Sequence, residues 1–174
     1  ITVKNFMTIT FKQFKYKFFR LMPLFLLFFI SLNGSSVIDL KLFSINFNFI
    51  VVYYWVLRQP QTLGYGYIFI SGLINDVIFG LPLGSTSLTL LIISGIAAYV
   101  RVVTVRVTLF TDWMVFIPAL LTTNLVYFFV LYFSNYPIDY LYLFKSSIFT
   151  FMFYPFVWII FEIFMRITNF EKNA

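Results

Sequence analysis

The chain has 174 residues, of which 61% are hydrophobic and 10% charged, with a net charge of +6 and neither cysteine nor histidine. Its 12 basic and 6 acidic side chains cannot cover a soluble domain of this size without leaving large apolar patches, and a mean hydropathy of +0.95 points to the bilayer as the solvent. The missing residue types exclude disulfides, thiolate chemistry, imidazole bases and the commonest zinc ligands. The Lys and Arg residues lie between apolar runs rather than on one patch, which argues against a nucleic-acid partner.

In chain order, residues 1–17 form a basic arm with aromatic residues interleaved, suited to the surface of an anionic leaflet or acting simply as topogenic charge. Six apolar segments follow. A membrane-crossing helix needs about 20 mainly apolar residues, and the segments lie near residues 18–38, 42–57, 61–79, 85–103, 113–133 and 146–165. The first is weakened by the polar patch Asn33-Gly34-Ser35-Ser36 at its far end. Arg58-Gln59-Pro60 connects the second and third, with Pro60 expected in the first turn of the third helix. Gly80-Leu81-Pro82-Leu83-Gly84 is long enough only for a hairpin turn, which makes the third and fourth helices antiparallel neighbours. Runs such as 127–133 are apolar on every side, unlike the alternating strands of a membrane barrel. The expected fold is an all-α transmembrane six-helix bundle at 18–166, followed by a tail at 167–174.

With the N-terminus placed in the cytoplasm, ten of the twelve Lys and Arg residues fall on that side, and only Lys41 and Lys145 fall on the other, near Asp39 and Asp139. The positive-inside rule therefore puts both termini in the cytoplasm. Membrane lipid is an implied partner.

Asp76 is an ionisable residue inside the third apolar segment, where charge is costly and marks a function or a specific partner. Gly72, Asp76 and Gly80 recur at intervals of four and share one helix face, which permits close helix packing and lets the carboxylate accept hydrogen bonds from the Gly80–Gly84 turn. Asn124, between Thr122–Thr123 and an apolar run, is expected to hydrogen-bond between helices. Glu162 and Arg166 have the spacing of a helical ion pair. Pro118 and Pro155 are expected to kink the fifth and sixth helices. Arg58, in its short turn, serves either topology or a cytoplasmic contact. No nucleophile stands beside a base, and neither a metal-ligand cluster nor a phosphate loop is present in the sequence, so neither catalysis nor a cofactor is expected.

The ordered features Trp55 to Pro60, Gly72-Leu73-Ile74-Asn75-Asp76, and Gly80-Leu81-Pro82-Leu83-Gly84, together with Tyr154-Pro155-Phe156 and Arg166 in the last segment, resemble the rod-shape-determining MreD family. Asn75 departs from the apolar residue more usual there. The resemblance implies a non-enzymatic scaffold of bacterial wall elongation in the inner membrane. Its implied partners are MreC and, in a larger complex, MreB, RodA and penicillin-binding protein 2. It also implies a fold similar to the substrate-binding subunits of energy-coupling-factor transporters. A vitamin-binding subunit of that kind is the rival, although residues 21–32 lack the alanines through which such subunits dock. The residues singled out for packing or partner contact are Arg58, Pro60, Gly72, Asp76, Gly80, Leu83, Gly84 and Pro155. Self-association is left open.

Overall fold

The computed structural model describes residues 21–33, 45–104, 108–137 and 139–173, with side chains as far as residue 166. The basic arm at 1–17, the first segment beyond Asn33, Lys41 and Arg106 lie outside the described residues. Within them the chain forms six helices and no strand: α1 (Leu21–Asn33), α2 (Phe47–Arg58), α3 (Tyr65–Phe79), α4 (Ser85–Val103), α5 (Leu109–Phe133) and α6 (Tyr140–Asn173).

Three of these, α4, α5 and the Tyr140–Arg166 part of α6, are long and apolar enough to cross a membrane. At 1.5 Å per residue they reach roughly 28, 37 and 40 Å, against about 30 Å of hydrocarbon. The 12 residues of α2 reach only about 18 Å. Burial accounts for this short helix, because every residue from Asn48 to Leu57 is buried. A helix apolar on nearly all sides lies either within protein or in lipid, and the burial of α2 against α4 and α6 places it within protein. Further packing pairs α4 with α3 and α5, and α5 with α6.

Aromatic rings fill the centre. Phe116 of α5 stacks on Tyr154 of α6 with centroids 4.3 Å apart, and Tyr53 of α2 approaches Phe116 at 4.9 Å. Such pairs add to the stabilisation from buried area alone. The outer sides of α5 and α6 expose Leu121, Leu125, Phe144, Ile148 and Met152, a surface suited to lipid and unfavourable in water.

Several helix starts differ from the sequence expectation. Pro60 does not begin α3. It lies in a turn closed by Thr62 N–H and Thr62 Oγ1, both donating to Gln59 O at 3.1 and 2.6 Å, and α3 begins only after Gly64. The Thr62 hydroxyl offers the backbone a partner other than a helical one. Conversely, α5 begins at Leu109 rather than near residue 113, with Thr108 Oγ1 accepting from Thr111 N–H at 3.3 Å. Likewise α6 begins at Tyr140, before Ser146, with Asp139 Oδ1 accepting from Tyr142 N–H at 3.1 Å. In both cases a polar cap ahead of the apolar run satisfies first-turn donors and extends the helix.

Candidate functional site

Asp76 is fully buried near the end of α3. Its backbone carbonyl accepts from Gly80 N–H and, at 2.9 Å, from Leu81 N–H, closing α3 through Gly80 in a left-handed conformation, φ 61°. Its side chain closes the next helix. Oδ2 accepts from Gly84 N–H at 2.8 Å, and Oδ1 accepts from Thr86 N–H at 2.9 Å and Ser85 Oγ at 3.0 Å. Gly84, also left-handed at φ 92°, has no side chain with which to cap α4, so Asp76 supplies the cap from the preceding helix. The first amides of a helix lack intrahelical partners and carry the positive end of its dipole, which explains how a carboxylate is held here with no cation beside it among the described residues. Leu83 is 74% exposed at the tip of this turn.

One helical turn before Asp76, Gly72 faces Ser87 of α4. A Cβ on Gly72 would lie 2.6 Å from Ser87 N and 2.8 Å from Ser87 Oγ, and would overlap Ser87 Cα. The close approach lets Ser87 Oγ donate to Phe69 O at 3.0 Å, tying α4 to α3. Gly72, Asp76, Gly80, Leu83 and Gly84 thus belong to one structural unit, the α3–α4 hairpin.

Arg58 belongs to a second polar group, at the opposite end of α2. Its Nη2 lies 3.7 Å from Glu162 Oε2 and 3.9 Å from Asp112 Oδ2, and its guanidinium carbon lies 5.4 Å from the Trp158 ring centroid. Those distances are too long for charge-assisted hydrogen bonds, so Arg58 acts mainly through charge and its position over the indole. The tight contact is Trp158 Nε1–H donating to Asp112 Oδ2 at 2.9 Å. Glu162 Oε1 also lies 3.5 Å from Arg166 Nε, and Tyr54 Oη lies 3.4 Å from Glu162 Oε2. Two carboxylates and two guanidiniums thereby join α2, α5 and α6. Asp112, 1% exposed, is the member that the sequence does not single out.

The remaining candidates are separate from these groups. Pro60 sits in the α2–α3 turn, and Pro155 lies within α6 beside buried Tyr154. Asn124 Nδ2 donates to Leu120 O of its own helix at 2.9 Å, instead of reaching a neighbouring helix as expected. It retains a place on the walls of two cavities. One, of about 850 Å³, is a groove between α5 and α6 lined mainly by apolar residues including Leu121, Leu125, Phe144 and Ile148. The other is a polar chamber of about 280 Å³ where α2 to α6 meet near the Asp76 end. Among the described residues, no cluster of carboxylates could hold a metal ion.

No family model matches the chain, and no curated protein or solved structure matches it. Fold and site by themselves define an all-helical protein with three helices of membrane-spanning length, whose two best-built polar groups join helices to one another.

Proposed function

We propose that the chain is a non-enzymatic scaffold of the MreD type in the bacterial inner membrane. In this reading six helices cross or enter the bilayer, both termini are cytoplasmic, and the fold is of the kind found in energy-coupling-factor substrate-binding subunits. The scaffold binds the single transmembrane helix of an MreC-like partner and so brings it to MreB, RodA and penicillin-binding protein 2.

The observation that carries this proposal is the α5–α6 groove. It opens sideways along two helices long enough to span a membrane, and Leu121, Leu125, Phe144 and Ile148 are all exposed along it. An apolar groove with a few small polar groups such as Thr122 and Ser147 on its wall suits a packed transmembrane helix, since helix association in lipid rests on close packing with occasional hydrogen bonds. The Arg58 and Asp76 groups support the same proposal by holding rigid the surface against which the partner packs.

The chain contains no cysteine, so single-cysteine crosslinking is direct. Leu125→Cys and Phe144→Cys should each crosslink to a cysteine in the transmembrane helix of a coexpressed MreC, whereas Val77→Cys, exposed on α3, should not. Equal crosslinking at all three positions, or partners that purify separately and monodisperse, would defeat the proposal.

A further inference from the structure

The polar chamber at the Asp76 end of the helices is lined by Asn48 of α2, Asn75 of α3, Thr89 of α4, Asn124 and Tyr127 of α5 and residues at the start of α6. Asn48 is 1% exposed and Asn75 is 2% exposed. Among the described residues neither Nδ2 nor Oδ1 of Asn48 has a hydrogen-bond partner, and Nδ2 of Asn75 has none. Buried polar groups are almost always paired, and an amide left unpaired in a poorly solvated interior carries an uncompensated desolvation penalty. Asn46 shows the contrast. Its Nδ2 donates to Ser146 Oγ at 3.0 Å and its backbone N–H donates to Thr150 Oγ1 at 2.9 Å.

We infer that the chamber is a binding site for a small, flat, uncharged molecule bearing a carboxamide or lactam edge. A side-chain carboxamide presents a donor and an acceptor side by side, and a lactam or carboxamide returns the complementary acceptor and donor. The same bidentate pairing lets asparagine recognise an adenine edge. Asn48, with both amide atoms unpaired and buried behind the chamber wall, supplies this edge by turning its side chain toward the ligand, and Asn75 adds a further donor. Phe49 and Tyr127 contribute ring surface to the walls, suited to a planar ligand.

Charge and size narrow the class. Among the described residues no charged side chain lines the chamber, and both carboxylate oxygens of nearby Asp76 already accept hydrogen bonds from the α3–α4 turn. A charged ligand would be desolvated without a counter-ion. A volume of about 280 Å³ corresponds to roughly nine waters at liquid density, sufficient for a single six-membered ring with its substituents. The chamber lies apart from the α5–α6 groove apart from sharing Asn124 and Leu143, so ligand binding is separable from capture of a partner helix.

The test uses the full chain in detergent or nanodiscs, titrated with uracil and nicotinamide by calorimetry, with orotate and nicotinate as anionic counterparts at pH 7. Uracil or nicotinamide should bind saturably and the anions should not. Asn48→Leu should weaken binding by about tenfold or more, while leaving the unliganded protein at least as resistant to heat, because an unpaired amide has been removed. Asn75→Leu should weaken binding by a smaller factor. Several results would overturn the inference: no saturable binding of either neutral probe into the millimolar range, equal binding of the anions, or unchanged affinity in Asn48→Leu. A chamber holding ordered water only would give the first of these. If Asn48→Leu does not fold, the Asn75→Leu titration decides, and unchanged affinity there has the same consequence.

Discussion

Trp158 Nε1 donates to Asp112 Oδ2 across 2.9 Å, joining the first turn of α5 to the far half of α6. Asp112 is 1% exposed, and Arg58 from α2 approaches the same oxygen at 3.9 Å. One carboxylate therefore connects three helices. Asp112→Ala is expected to destabilise the folded state by about 2 kcal/mol or more, because it removes a charged acceptor and leaves a buried donor unpaired. Reversible unfolding in mixed micelles measures this loss. Combined with Trp158→Phe, it should show coupling of about 1 kcal/mol or more; strictly additive losses would mean that the contact contributes little.

The α3–α4 hairpin should depend on the Asp76 carboxylate in a graded way. Asp76→Ala removes three accepted hydrogen bonds and the cap of α4, an expected loss of about 3 kcal/mol. Asp76→Asn retains one acceptor oxygen and should lose less. Faster hydrogen exchange at the Thr86 amide in both variants would report the lost cap. Wild-type exchange and folded yield in Asp76→Ala would contradict this role.

At Gly72 the expected effect is overpacking. Gly72→Ala places a Cβ against the Ser87 backbone and should cost about 1 to 3 kcal/mol. Adding Ser87→Gly relieves only the Oγ part of the clash, so rescue should be partial. Complete tolerance of Gly72→Leu, read as unchanged melting temperature, would show that the two helices do not approach this closely.

Gly84 and Gly95 should respond in opposite senses. Gly84 has a φ of 92°, so Gly84→Ala is strained although no atom obstructs its Cβ, with an expected loss of about 1 kcal/mol or more. Gly95 lies within α4, with open space around a built Cβ and no positive φ. Gly95→Ala should therefore stabilise by about 0.5 to 1 kcal/mol. Thermal unfolding of the two variants side by side makes the comparison.

The hairpin was legible because its signals are local: a carboxylate in an apolar run, glycines four residues apart, and a turn too short for another connection. Asp112 is not legible in the sequence, because its principal partner lies 46 residues away and because it stands ahead of the apolar run at 113–133. The first turns of α5 and α6 are hidden for a related reason. Hydropathy marks where apolar residues begin, whereas Thr108 and Asp139 determine where the helices begin. Asn48 carries no signal within a short apolar segment, since composition cannot distinguish a helix enclosed by protein from one facing lipid.

That enclosure has a consequence for how the protein is made. A helix of about 18 Å, buried from Asn48 to Leu57, is too short to span the hydrocarbon as a lone segment. Part of what surrounds it, Tyr154 and Phe161 of α6, is synthesised roughly a hundred residues later. In synthesis, α2 acquires its final surroundings only when α6 arrives. Chains that terminate before α6 should consequently leave α2 without part of its enclosure, and so be less stable in the membrane than chains that include α6.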